Sequence, residues 1–361
     1  MVASELNMKG VEVNEIDATK AKLISKRRRV TLPQWATAWI VLIPALIFIC
    51  MFMLYPIINT FLFAFVQNFQ YATGAGSFAL GQFIATVVNG PAKMASFGFD
   101  NFRLALQNEY FIQSIGNTAI LTIVEVPLTI IVSLLIATFL NNIKVLKGFY
   151  QTIFFLPYVT NTIALGLIFN IAFKGTPGGL INIFLHDVFG VQDPINWLSF
   201  SSYKGLPPAS KFSQGVVIVL YSLWNGIAFK ILVFMSGLAT IDKQYSDAAR
   251  IDGASNFTIW RRITLPLLSP QILYITITSF IGSFKMYTGV MSVYQGVSGD
   301  AYYFGGEKGN DWIPVVGWIY KELESSKLRP GVASAASLIL LGIIMVITAL
   351  QFAVSKKRVH Y

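Results

Sequence analysis

Cysteine occurs once in this chain, at Cys50, and histidine twice, at His186 and His360. A single cysteine forbids an intrachain disulfide, and two histidines so far apart make no metal site. The dipeptide Gly-Lys never occurs, which removes any Gly-x-x-x-x-Gly-Lys-Ser/Thr phosphate loop, so the chain is not itself an ATPase. Neither a Gly-x-Ser-x-Gly elbow nor a His-Glu-x-x-His pair is present, and no catalytic residue or cofactor is expected. Charge is also scarce: Asp, Glu, Lys and Arg make up 12% of residues, about half the share of soluble domains.

Apolar residues fill that space, at 55% of the chain. Six runs are long enough to cross a hydrocarbon core of ~30 Å as helices. They lie at about 39–65, 116–140, 149–173, 215–239, 270–293 and 332–354. An all-α integral membrane protein with six transmembrane helices is therefore expected, with a polar and basic tail over 1–34 and a membrane domain over 35–358. The first run is too long for a cleavable signal peptide and lacks a small-residue cleavage site. Residues 1–25, polar and of mixed charge, read as a flexible tail.

Lys and Arg set the orientation. With the N-terminus inside, the inner segments carry sixteen of them, the longer outer segments nine, and Lys230 and Lys285 fall within helices. Both termini are expected in the cytoplasm of a multi-pass protein of the cell membrane. Lys26-Arg-Arg-Arg29 directly precedes the first span, so the net charge of +10 reads as anchoring against anionic lipid and not as nucleic-acid binding.

Between the fourth and fifth runs, residues 241–269 form a polar interlude on the cytoplasmic side. A helix beginning near Tyr245 is expected to carry Asp247 in its first turn, where a carboxylate suits the helix dipole. Ala248, Ala249, Gly253 and Ala254 would let another surface come close, and Gly253 reads as a stop that lets a second helix leave at an angle. The spacing, Asp247-Ala-Ala, three residues, Gly253, nine residues, Ile263-x-Leu265-Pro266, resembles the EAA loop of ABC-transporter import permeases, with Asp247 where that family usually has Glu. Leu156-Pro157, Gly166 and Gly178-Gly179-Leu-Ile-Asn182 are similar to the third helix and following loop of sugar-import permeases. Tyr320-Lys-Glu-Leu and Arg329-Pro-Gly331-Val-Ala-Ser-Ala-Ala-Ser337 resemble the approach to their last helix. The likeness runs from about Trp35 to Arg358 and is closest to the larger permease of a carbohydrate-importing pair.

That resemblance implies four kinds of partner: a second permease forming a heterodimer, two ATP-binding subunits that bind the nucleotide, an extracellular solute-binding protein, and the lipid bilayer. It implies ATPase coupling through Asp247, Ala248, Ala249, Gly253 and Ala254, and transport of a carbohydrate, in the first place an oligosaccharide. A permease for a polyol phosphate or a peptide would carry the same loop. A secondary transporter or channel would need neither the loop nor an ATPase.

Helical spacing marks a pathway. In the fourth run Ser222, Asn225, Gly226 and Phe229 recur at i, i+3, i+4 and i+7; in the fifth Ser279, Gly282, Ser283 and Met286 repeat the offsets. In the resembling family these offsets on either side of the acidic-Ala-Ala motif line a central sugar site. Small polar residues also serve close helix packing, and the two readings stand side by side.

Charges inside membrane helices call for a function or a partner. Glu125 could pair with a lysine and fix packing, or Lys230 and Lys285 could attract an acidic sugar. Asn68–Ile115 reads as an outer loop, either a platform for the binding protein or a variable insertion. Asp311–Leu323 has an apolar stripe that suits either the outer membrane surface or packing under the loops.

Overall fold

Proline and asparagine decide where the apolar runs stay straight and where they break. The computed structural model describes residues 33–66, 97–143, 145–199, 207–294, 312–324 and 329–355; the expected tail, most of the outer loop with Gly74, Gly76, Gly81, Gly90 and Pro91, and Asp311 lie outside them. The chain divides into two units, Met1–Asn59 and Thr60–Tyr361. All secondary structure named below is helical.

The first helices are α1 (Gln34–Ile49) and α2 (Tyr55–Phe65), joined by a π-helical turn, Cys50–Leu54. Tyr55 N–H donates to Cys50 O, five residues back, one position before Pro56. Proline has no N–H and its ring crowds the carbonyl four residues earlier, so widening the preceding turn relieves the clash. The same device recurs at Trp260–Thr264, where Leu265 N–H donates to Trp260 O just ahead of Pro266.

The loop expected before the second span contains a helix of its own, α3 (Asp100–Gln107), and the span, α4 (Glu109–Asn142), begins seven residues earlier than its apolar run. Asn101 explains α3: its buried amide donates to Ala64 O at 3.1 Å and Val66 O at 2.8 Å, closing the carbonyls that end α2. Asn108 then starts α4 by accepting from Tyr110 N and Phe111 N. At ~1.5 Å per residue α4 is about 50 Å long, longer than a bilayer core. Its buried face is rich in small and hydroxyl residues, including Ser114, Thr118, Thr122, Thr129, Ser133 and Ala137. These let α8 (Lys211–Thr240) lie close, with Ser133 Oγ 3.5 Å from Ile227 O.

The third run, expected as one helix over 149–173, is two: α5 (Lys147–Val159) and α6 (Thr162–Ala172), bent by 95°. Asn161 causes the break, since its side chain accepts from Ile163 N and Ala164 N and so caps a new helix. A further helix that composition did not single out, α7 (Leu180–Phe189), follows Gly178-Gly179. Asn182 pins it, donating to Thr176 O and Ile195 O and accepting from Trp197 Nε1, each at 3.0 Å.

After α8 come α9 (Lys243–Ile251), α10 (Asn256–Ile259), the second π turn, α11 (Leu265–Leu267) and α12 (Ser269–Phe284). The fifth run, expected to be helical through 293, stops at Phe284. Lys285 N and Met286 N bond back to Gly282 O and Ser283 O, each at 3.1 Å, and a separate α13 (Thr288–Tyr294) turns against α6. Close approach holds α13 there: Gly166 leaves no room for a Cβ beside Ser292, and Asn170 Nδ2 donates to Val293 O at 2.7 Å. Two last helices are α14 (Val315–Glu324) and α15 (Pro330–Ser355). Of the two readings of the 311–323 stripe, packing describes most of it: Trp318 is buried against Phe111, ring centres 4.8 Å apart, and Trp312 Nε1 donates to Lys211 O, while Tyr320 and Leu323 stay exposed.

Among the described residues four helices are long and apolar enough to cross a membrane: Trp35–Phe65, Glu109–Asn142, Lys211–Thr240 and Pro330–Ser355. Counting each bent pair as one span, Gly148–Val159 with Thr162–Ala172 and Asn256–Leu267 with Ser269–Phe284, brings the number up to six.

Candidate functional site

A cavity of about 520 Å³ opens between α4, α5, α8 and α12. Four residues come from one wall because α8 is unbroken: Ser222, Asn225, Gly226 and Phe229 follow its 3.6-residue period. Ser279, Gly282 and Ser283 come from α12. Met286 also faces the cavity, but not by helical register, because α12 has ended; the turn at Lys285 carries it inward, where Ser222 Oγ lies 3.5 Å from its sulfur. All eight residues singled out by spacing thus border one space.

The bend of α5 adds a residue that spacing missed. Tyr158 stacks on Phe229, ring centres 5.9 Å apart and planes 23° from parallel, making an aromatic wall. Tyr221, also missed, accepts from Asn225 Nδ2 at 3.3 Å and donates to Thr162 O at 3.2 Å, so it fixes the Asn225 amide and ties α8 to α6. No sequence signal marks either tyrosine, since both depend on where α5 and α6 diverge.

The charges expected to need partners meet here. Thr122 Oγ1 lies 2.9 Å from Ser283 Oγ, which in turn donates to Glu125 Oε2 at 3.3 Å. Lys230 is 8% exposed, and its ammonium donates to Gly226 O at 3.3 Å. The Glu125 and Lys230 charges act on one another without a direct ion pair. Gly226 makes room for the ammonium, because a Cβ there would stand 3.0 Å from Lys230 Nζ.

The 241–269 interlude forms a knuckle. Asp242, not a residue near Tyr245, caps α9 by accepting from Gln244 N at 2.9 Å. Asp247 therefore sits in the second turn, outside the reach of the dipole expected for it, and lies 3.7 Å from Arg250 as an exposed i,i+3 pair. Gly253 adopts φ +79°, the left-handed conformation that closes a helix. Gly253 N–H donates to Arg250 O and Ala254 N–H to Ala249 O, and Ser255 then accepts from Thr258 N to open α10. Asp247, Ala248 and Gly253 are exposed, Ala249 and Ala254 half-buried, and Tyr245, Ile251 and Phe257 stand out in solvent. Behind this surface Trp260 donates to Thr138 Oγ1 at 3.2 Å and packs with Leu265 on the α4–α8 core. The knuckle is thereby fastened to α4 and runs, through one 65° bend, into the α12 wall of the cavity.

A family model described as "Binding-protein-dependent transport system inner membrane component" matches residues 129–360. The lactose transport system permease protein LacF of Rhizobium radiobacter is 26% identical over 322 residues, covering 89% of this chain and 94% of its own. The arabinooligosaccharides transport system permease protein AraP of Bacillus subtilis (strain 168) is 28% identical over 314 residues and 86% of both chains. The sn-glycerol-3-phosphate transport system permease protein UgpA of Agrobacterium fabrum is 27% identical over 73% of this chain and 82% of its own. In fold, the chain is similar to one in a crystal structure of a bacterial alginate ABC transporter in complex with an alginate pentasaccharide-bound periplasmic protein. That match has a TM-score of 0.67 at 18% identity and covers 89% of this chain and 94% of the other.

Proposed function

The chain belongs to the binding-protein-dependent transport system inner membrane components, and on that premise we propose that it is one of two permease subunits of an ABC importer for an oligosaccharide. The observation that carries this is the continuity of cavity and knuckle. An exposed knuckle bearing Asp247, Ala248, Ala249, Gly253 and Ala254 leads through Trp260 and α12 to Ser279, Gly282 and Ser283 on the cavity wall. Closure of two partner ATPase subunits on ATP would displace the knuckle, and α12 would carry that displacement to the cavity. The Tyr158–Phe229 wall suits the apolar face of a sugar ring, and Asn225 and Ser279 offer hydrogen bonds to its hydroxyls. The names of LacF and AraP, a lactose and an arabinooligosaccharide permease, support the same substrate class.

In this reading the second permease completes the pathway and an extracellular solute-binding protein delivers the substrate. The two bent pairs each count as one span, so six segments cross the cell membrane with both termini in the cytoplasm. Single cysteines in a Cys50-free background test that topology. Those at Ser77, Ser202 and Ser298 should react with an impermeant reagent on intact cells, and those at Ser4, Ser255 and Ser355 only after permeabilisation. Reaction at Ser255 from outside would overturn it.

The pathway has its own test. Asn225→Ala in the assembled importer should lower ATP-driven oligosaccharide uptake about three- to tenfold, the worth of one hydrogen bond to substrate. Binding-protein affinity and subunit assembly should be unchanged. Impaired assembly with normal uptake per assembled complex would return these residues to a packing role.

A further inference from the structure

We propose that the cavity selects a saccharide bearing a negative charge, a sugar acid or a sugar phosphate, because its wall sets two ammonium groups against one carboxylate. The inference rests on the cavity being the substrate pathway. The carboxylate is Glu125, and it is already engaged: Ser283 donates to it, and Lys230 borders the same cavity. Lys230, engaged by the Gly226 carbonyl and by that opposing charge, leaves little field over for a ligand.

Lys285 is different. It borders the same cavity, its side chain is exposed, and no described acidic residue pairs with it. It follows the last turn of α12, whose carbonyls contribute about half a negative charge, so among the described residues a positive surplus remains. Ser279, Gly282 and Met286 border the same cavity, as does the aromatic wall on α5 and α8. A sugar ring on that wall would place a carboxylate or phosphate substituent within the field of Lys285, which acts at longer range than a hydrogen bond.

The test reads the cavity directly and does not depend on what the binding protein delivers. The complete importer, with Cys50→Ser and Ser279→Cys and no other reactive cysteine, is treated with a sulfonate-bearing or a trimethylammonium-bearing methanethiosulfonate. Relative to a free thiol, the sulfonate reagent should react faster, and Lys285→Gln should lower that preference about tenfold or less, with Lys285→Glu reversing it. Trigalacturonate should protect the cysteine at concentrations about tenfold below those needed for maltotriose. Equal protection by glucose phosphate would show that any sugar-borne anion suffices, and its failure beside trigalacturonate would assign the site to carboxylates. A reagent preference indifferent to Lys285, as expected if that lysine reaches outward to lipid headgroups, overturns the proposal. So does maltotriose protecting as well as trigalacturonate, which leaves the pathway reading intact. Protection by no saccharide at a reactive cysteine fells the pathway reading, and the proposal with it.

Discussion

Gly253→Pro should abolish ATP-driven uptake, by about a hundredfold or more, while the importer still assembles in the membrane. Gly253 holds φ +79° and gives its N–H to Arg250 O. Proline fixes φ near −65° and has no N–H, so the turn between α9 and α10 cannot form. Nothing lies within 4 Å of a Cβ built at this exposed glycine, so the damage stays at the knuckle and does not reach the helix bundle. Gly253→Ala separates shape from presence: alanine in the left-handed region costs roughly 1–2 kcal/mol, and uptake should fall only partly. Asp247→Lys should uncouple as well. The carboxylate is exposed, only loosely held by Arg250, and so free to meet a partner; reversing its sign puts two cations side by side at that contact. Uptake is measured in proteoliposomes against ATP hydrolysis by the same complex. Full ATP-coupled uptake in Gly253→Pro would remove the knuckle from the coupling pathway.

How much of this was legible in the sequence follows from how each feature is made. The Gly253 turn was legible because a positive φ is a property of one residue type. Its helix start was misplaced by two residues, although the Asp242 carboxylate that caps the helix by accepting from Gln244 N is a residue type that favours helix starts. The face of α8 was legible because an unbroken helix keeps its period from Ser222 to Phe229. The third and fifth spans were not. One is broken by the Asn161 side chain taking two backbone N–H groups. The other ends where α13 is drawn onto α6 by Ser292 nesting on Gly166 and by Gly289 seated against Tyr221. Those contacts join positions more than sixty residues apart or rest on a single amide, and neither alters apolar composition. The stripe at 311–323 left membrane surface and packing equally open; that Trp318 packs on Phe111 of α4 depends on the whole bundle.

Lys230→Met should destabilise the protein, and a second change should undo much of it. Lys230 is 8% exposed, and it and Glu125 line the same cavity. Removing the lysine strands a carboxylate that retains only hydroxyl partners such as Ser283. Breaking one side of a buried charge pair costs about 3–5 kcal/mol when the two touch in a dry interior. Here they do not form a direct pair and the cavity between the helices is open, so a loss of about 2–3 kcal/mol is expected. Glu125→Gln leaves an ammonium that keeps the Gly226 carbonyl, and should cost less. The double variant Glu125→Gln, Lys230→Met carries no unpaired charge and should recover at least about 1 kcal/mol relative to the sum of the two single changes. The unfolding midpoints of the four purified proteins, compared under one denaturant series, give this coupling. Strict additivity would mean that the charges do not sense each other, and Lys230 would then join Lys285 as a cation free to meet substrate. A favourable coupling keeps the two lysines distinct, one balancing Glu125 inside the protein and the other left to the ligand.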